Sequence, residues 1–486
     1  MTSEKSSLSL DALTPERLFV WTRPLLYAGL AFGLLLIVLG TWLSTLLLAV
    51  LAAAFLAALV FGALARNEVF LLCAVLAAFV VSANYEAGFQ IQEIFYGLLY
   101  FGYLTYWFIS RFFFYRDRVL KTPIDWALFL FLVYVTLSLG LTPLLGGDMQ
   151  TAVSEWLAIT MLAFYFPIKE LCIRRSDLLP QKPVLISLGF VALFIAFRNF
   201  WFYQTHINNA EFLWQIATGR VVTNEHVLLM AGLVALTILL YSRKKLHTTA
   251  IAGIFTILSA AIVIGQSRAL WVSYMLGIAV IFLCVDRKKK FRIVSIGVLG
   301  GVLFLVVGTL VFDNFFSLII AGLANRFLSL QTATVQDISL INRFFEARAA
   351  LEYIGMNPIM GYGFGVPIKY YSLVYEWTHE TSFIHNGPVG VWYRHGLIGL
   401  GLLGTFYIGT VVRTIRTLRM PAIARIDRIV AIFVMACLIA ESLVGNTENP
   451  FATGDKTLFI GALAGLAAAS AHRAAHPVAR PEIHAE

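Results

Sequence analysis

Three side chains in this 486-residue sequence combine useful chemistry with a position where apolar text meets polar text: Arg220, Arg268 and His385. A guanidinium donates to two phosphate oxygens at once, so an arginine near a helix end suits an anionic group such as a diphosphate. Arg268 closes Gly265-Gln266-Ser267-Arg268, a break between two apolar runs with almost no loop. A charge at bilayer depth costs about 3 kcal/mol or more, so Arg268 must lie at the interface or be paired. Taken alone it could equally be a snorkelling anchor, and Arg220 a plain surface residue. His385 stands beside Asn386, just before an apolar run. A histidine with an ordinary pKa of about 6.5 can take a proton from a hydroxyl at neutral pH. A simple helix cap is the structural alternative for this pair.

The passage that must position His385 runs from Asp313 to Pro388 and interrupts near-continuous apolar text. At roughly seventy residues it is far longer than an ordinary connection, so it should be functional or disordered. Its Phe, Tyr, Trp, Leu and Ile content argues for a folded extramembrane lid. Within it the spacing predicts an amphipathic helix over Asn342–Ile354. Phe344, Ala347, Leu351 and Ile354 are expected on its packed face, with Arg343, Glu346, Arg348 and Glu352 on the polar one. Gly355 and Pro358 should stop it. The run Gly361-x-Gly363-x-Gly365 reads as a turn, because no strand precedes it and no helix follows it as a dinucleotide site would require.

Composition sets the surroundings. With 59% hydrophobic and 13% charged residues and a mean hydropathy of +0.82, the chain is too apolar for a soluble domain. About fourteen apolar stretches of roughly 15–24 residues are legible. They start near Leu25, Trp42, Val69, Ile91, Trp126, Ala152, Val184, Val227, Ala250, Ala269, Ile293, Val389, Ile429 and Leu458. The apolar text from Leu25 runs on to Leu64, which predicts a retained first helix instead of a cleaved leader. With the N-terminus inside, every basic cluster falls on one side, including Arg111–Lys121, Arg243–Lys245, Arg287–Lys290 and Arg413–Arg428. The net charge of +9 is therefore topological and calls for no nucleic acid. The expected fold class is an all-α polytopic integral membrane protein with 12–14 spans. Its parts are an inner N-terminal segment (1–24), helices one to eleven (25–312), a large outer loop (313–388), helices twelve to fourteen (389–471) and an inner tail (472–486).

The four cysteines are isolated, so neither zinc nor a disulfide framework is expected. Outward turn carboxylates (Glu86, Glu93, Asp148, Glu155) are read as solvated, and no Asp-x-Asp offers a divalent metal site. Gly265-x-Ser267 with a distant histidine fits an intramembrane serine protease poorly, because His385 follows a lid and not a helix centre. A polysaccharide transporter would place charges mid-helix, and few are found there.

Taken together, Gly265-Gln266-Ser267-Arg268-Ala269, Asn342-Arg343, Pro358-x-x-Gly361-x-Gly363, His385-Asn386 and Gly396-Leu397-Ile398-Gly399 resemble the O-antigen ligase family. That family includes O-antigen polymerases and protein O-oligosaccharyltransferases. The resemblance covers about Gly219 to Leu403. It implies a GT-C-like membrane glycosyltransferase with a large periplasmic loop, in a multi-pass protein of the bacterial inner membrane with both termini cytoplasmic. The implied donor is an undecaprenyl-diphosphate-linked glycan, used at the periplasmic face with inversion and with no metal or other cofactor. The implied acceptor is lipid A-core for a ligase, or a growing glycan for a polymerase. Carried over by motif, His385 is the base, Arg220 and Arg268 hold the diphosphate, and Asn386, Arg343 and Ser267 support them. One departure is plain. Ligases often carry an acidic residue before the Gly-x-x-Gly, where this chain has Arg394-His395.

Overall fold

Among the described residues, helix appears wherever the sequence offers a long apolar run, as lipid demands, since a bilayer core satisfies no backbone hydrogen bond. The computed structural model describes residues 68–81, 91–115, 118–174, 181–209, 224–312, 314–328, 337–421 and 423–476. The apolar starts near Leu25 and Trp42 lie outside the described residues, as do Arg220 and the last part of the tail. Each of the other twelve starts falls inside a helix. In chain order these are α1 (Glu68–Ala78), α2 (Ile91–Ile109), α3 (Pro123–Ser138), α4 (Met149–Arg174), α5 (Gln181–Asn208), α6 (Glu225–Tyr241), α7 (Lys245–Ile264), α8 (Arg268–Cys284) and α9 (Arg287–Phe312). The passage after α9 adds α10 (Asn314–Leu328) and α11 (Ile338–Met356). The chain then forms β1 (Ile368–Ser372), β2 (Trp377–Thr381), α12 (Gly387–Leu418), α13 (Arg425–Val444) and α14 (Gly454–Ala475).

Among the described residues six helices are long and apolar enough to cross a membrane: α4, α5, α7, α9, α12 and α14. Four shorter apolar helices, α1, α3, α6 and α8, accompany them. At 17 residues, α6 and α8 rise about 25 Å each. The most extensive pairings are α6 with α7, α8 with α13, and α4 with α14. Helices α6 and α13 are buried on nearly every side, whereas α9 faces outward over most of its length.

The basic clusters do share one end of this bundle. Lys289 lies 4.3 Å from the Tyr241 ring, and Arg425 donates to the Tyr241 carbonyl. Nearby in the same layer of chain ends, Lys169 pairs with Asp125 at 2.7 Å, Arg413 donates to Thr122, and Arg473 holds Asp427.

The lid is not purely helical. A two-stranded antiparallel hairpin, with Ile368 opposite Thr381 and Ser372 opposite Trp377, is a short sheet not anticipated from the sequence, in a chain that is otherwise helical, as expected. Ile368, Tyr370 and Ser372 alternate inward against α11, which is the strand period at work. A correction concerns α11 itself. Its buried face carries Asn342, Glu346, Ala350 and Ile354, while Phe344 and Leu351 are exposed. The polar-out rule fails because this helix has protein on one side and can give its apolar side to lipid or to the lid's outer surface. Glu346, expected to be solvated, is 1% exposed.

At Gly396 the backbone of α12 leaves helical geometry, with φ +59°. The lid fills the gap. Leu397 N–H donates to Pro358 O at 2.9 Å, and Gly363 N–H donates to the Arg394 carbonyl at 2.8 Å. Gly361, Gly363 and Gly365 all adopt positive φ, as the expected turn requires. The turn is a docking strip that ties the lid to the kinked helix.

Candidate functional site

His385 belongs to the short link between β2 and α12, and three elements converge on that link. Asn386 caps α12, its Oδ1 accepting from Val389 N–H at 3.0 Å. Its Nδ2 donates to Asn446 O at 3.1 Å, and Gly387 N–H to Gly445 O at 2.8 Å. Asn449 reaches the Ile384 carbonyl at 3.1 Å. The connection between α13 and α14 therefore grips the residues on both sides of His385.

From the other side comes α11. Glu346 Oε1 accepts the His385 backbone N–H at 2.6 Å, and Oε2 lies 2.8 Å from the ring Nδ1. The Tyr370 hydroxyl approaches Oε2 at 3.5 Å and itself receives the Asn342 amide at 3.3 Å. Asn342 Oδ1 takes the Leu373 N–H, which ties the hairpin to the same helix face. The edge of Phe383 packs 4.8 Å from the imidazole. While the Glu346 side chain is 2% exposed, that of His385 is 34% exposed, so the imidazole is fixed from within and open outward.

One turn from Glu346 on α11 is Arg343, whose Nη1 donates to Thr447 O at 2.7 Å. Residues three apart on a helix are surface neighbours, so Arg343 and Glu346 present adjacent side chains. Below them lies a buried polar cluster. His226, at the start of α6, has its two ring nitrogens 2.8 Å from Glu441 and from Glu448. Burial alone would raise the Glu448 carboxyl. The His226 hydrogen bond and the charges of His226, Lys456 and Arg343 outweigh it and hold Glu448 below the usual carboxylate range.

Arg268 opens α8 and pairs with Asp337, the N-cap of α11. Asp337 and Glu346 are separated by about 13 Å of helix rise. Arg268 thus lies at the N-terminus of α11 and His385 against its middle, so the two are not side by side. Ser267 is buried at the α8 N-cap position, with no side-chain cap bond. Arg220 lies outside the described residues.

Sequence reasoning missed Glu346, placed on the wrong face, and Glu155, taken for a solvated turn residue. Glu155 Oε1 receives Arg394 Nη2 at 2.8 Å and the Ser382 hydroxyl at 2.9 Å, and Oε2 receives Gly365 N–H at 3.0 Å. The register of Glu346 with Asn342 and Ile354 was legible; the long-range partners of Glu155 were not. A separate cavity of about 180 Å³ is lined by Glu93, Tyr96, Asn224 and Asp455, among others, and by none of the residues around His385. Its two carboxylates suit an anion poorly.

Residues 252–404 match the family model described as O-antigen ligase. Over that span the chain is similar to the O-antigen ligase family. No curated protein matches the chain. The matched span contains Arg268, Arg343, Glu346, His385 and the Gly396 kink, and so nearly all of the geometry just described. Arg220 falls before it. The match supports a membrane glycosyltransferase-like activity on lipid-linked glycans. Arg394, which precedes the Gly-x-x-Gly, is met by Glu155 of α4.

Proposed function

We propose that the protein is a periplasmic-face glycosyltransferase of the bacterial inner membrane that joins an undecaprenyl-diphosphate-linked glycan to an acceptor hydroxyl, as an O-antigen ligase acting on lipid A-core. The observation that carries this reading is His385, half-open to solvent yet held by buried Glu346 at the junction of lid and helix bundle, inside the span matching the family.

In this reading His385 takes the proton from the acceptor hydroxyl as its oxygen attacks the anomeric carbon. The carbon–oxygen bond to the diphosphate breaks on the opposite face, which gives inversion. The diphosphate leaves with its electron pair, and arginine answers the charge that develops there. Arg343 is the cation best placed for the phosphate nearest the anomeric carbon, because it neighbours Glu346 on α11. Arg268 would engage the donor by exchanging Asp337 for phosphate at the N-terminus of that helix. The glycan stays in water and the polyprenyl tail in lipid, which suits a site between lid and bundle. Arginine meets the phosphate charge here, so transfer should persist in excess chelator.

A deletion strain complemented with His385→Ala tests the reading. The expected surface profile is bare lipid A-core with lipid-linked polymer accumulating, and purified His385→Ala should transfer about 10²–10⁴-fold more slowly. Cores carrying a single repeat unit would point to a polymerase, and an unchanged glycan ladder would overturn the reading.

A further inference from the structure

We infer that Glu346 is the positioning residue for His385, dictating that Nε2 is the reacting nitrogen and sharing the positive charge that forms on the ring. The inference rests on the reading of His385 as base, and the geometry behind it is independent of that reading. Both oxygens of one buried carboxylate serve a single residue: Oε1 takes its backbone N–H at 2.6 Å and Oε2 meets its Nδ1 at 2.8 Å. An ionised carboxylate only accepts hydrogen bonds, so Nδ1 must carry the hydrogen and the lone pair must sit on Nε2. The backbone bond matters as much as the ring bond. It fixes the His385 main chain to α11, so the imidazole cannot swing without breaking two contacts. Phe383, edge-on at 4.8 Å, limits rotation about the remaining torsion.

An ordinary structural pair would bury both partners. Here the carboxylate side chain is 2% exposed and the imidazole 34% exposed, so the held group faces outward. When His385 takes a proton on Nε2, both ring nitrogens become donors and the cation faces a carboxylate already in contact. Nothing has to reorganise for that charge to be met, and this is the condition for efficient electrostatic assistance. Two further contacts hold Glu346 itself: its place among the inward residues Asn342, Ala350 and Ile354, and the Tyr370 hydroxyl at 3.5 Å. Second-layer partners of this type orient a reacting imidazole in the way they orient metal-bound ones.

Full-length protein in lipid nanodiscs, labelled with ¹⁵N-histidine, tests this without relying on activity alone. The His385 resonances are those lost in His385→Ala. In the wild type their ¹⁵N shifts should report the Nδ1–H tautomer at a pH where the ring is neutral. Glu346→Gln offers one acceptor and one donor in place of two acceptors and cannot take both bonds. It should mix the tautomers and lower kcat about 10–100-fold, part of what a positioned base contributes, with KM for the lipid-linked donor nearly unchanged. Glu346→Asp keeps the acceptors and should restore part of the loss. A wild-type Nε2–H tautomer would overturn the proposal without any variant. So would an unchanged tautomer and kcat in Glu346→Gln, or a fall in folded yield alone with normal turnover per folded molecule. If His385→Ala itself turns over normally, the base reading fails, and the tautomer measurement still decides whether Glu346 holds the ring.

Discussion

Glu155 and Arg394 are 239 positions apart in sequence and 2.8 Å apart in space, and this pair joins α4 to α12 at the point where the lid meets the helix bundle. Glu155 also takes Ser382 and Gly365, and Arg394 also donates to the Ser382 carbonyl at 2.9 Å. The clasp therefore closes three residues before His385. Both side chains are nearly buried, at 5% and 10% exposure. Removing one partner leaves a buried charge unmatched, which costs about 3–5 kcal/mol. Glu155→Ala should lower thermal stability in detergent by that order and expose the lid to protease. A double change, Glu155→Ala with Arg394→Met, should recover much of the loss. Wild-type stability in the single variant would refute the clasp.

The kink of α12 makes a sharper local forecast. Gly396 sits at φ +59°, and a Cβ there would run into the Ile359 carbonyl. Positive φ on a non-glycine residue costs of order 1–3 kcal/mol before any clash is counted. Gly396→Ala should therefore destabilise strongly. Gly401→Ala, five residues later with open space around its Cβ, should be neutral or slightly stabilising. Equal melting temperatures for the two variants would contradict the geometry.

Arg268, at the N-terminus of α11, and Arg343, on its second turn, should separate by their responses to lysine and to loss of Asp337. Each charge-assisted hydrogen bond is worth roughly 1.5–3 kcal/mol, so Arg343→Ala should weaken donor binding by about 10–100-fold. Arg343→Lys should recover only part, having lost the planar fork. Arg268→Ala removes both any phosphate contact and the Asp337 pair. Asp337→Asn tells these apart. If Arg268 serves the donor, Asp337→Asn leaves donor affinity intact or improves it. If Arg268 only anchors α11, Asp337→Asn reproduces the Arg268→Ala phenotype.

Sidedness can be read with single cysteines in a background lacking Cys73, Cys172, Cys284 and Cys437. Thr378 is exposed on the hairpin and Lys288 at the basic end of α9. In intact cells, with the outer membrane permeabilised, an impermeant maleimide should label Thr378→Cys and spare Lys288→Cys. The reverse pattern would turn the proposed topology over.

What the sequence by itself determined was the helical bundle and the address of His385, the proposed base. Apolar runs must become helices in lipid, so each expected start from Val69 to Leu458 falls inside a helix, although some helices begin several residues earlier, as α9 does at Arg287. The long polar-aromatic interruption, its three-glycine turn and the His385-Asn386 pair at its end were legible because turn chemistry and caps are local. What only the tertiary structure decided was which side chains meet. Residues 346 and 385, or 155 and 394, come together through the docking of α11, the hairpin and α4 onto a helix broken at Gly396. No periodicity records that docking. Local pattern even pointed the wrong way at Glu346: it treats a charged residue as solvated by default. A buried carboxylate is tolerated here because three donors from distant segments converge on it. Arg268 shows the same limit in reverse, since its residue type matched an anion site while its distance from His385 was set by the rise of α11 between Asp337 and Glu346.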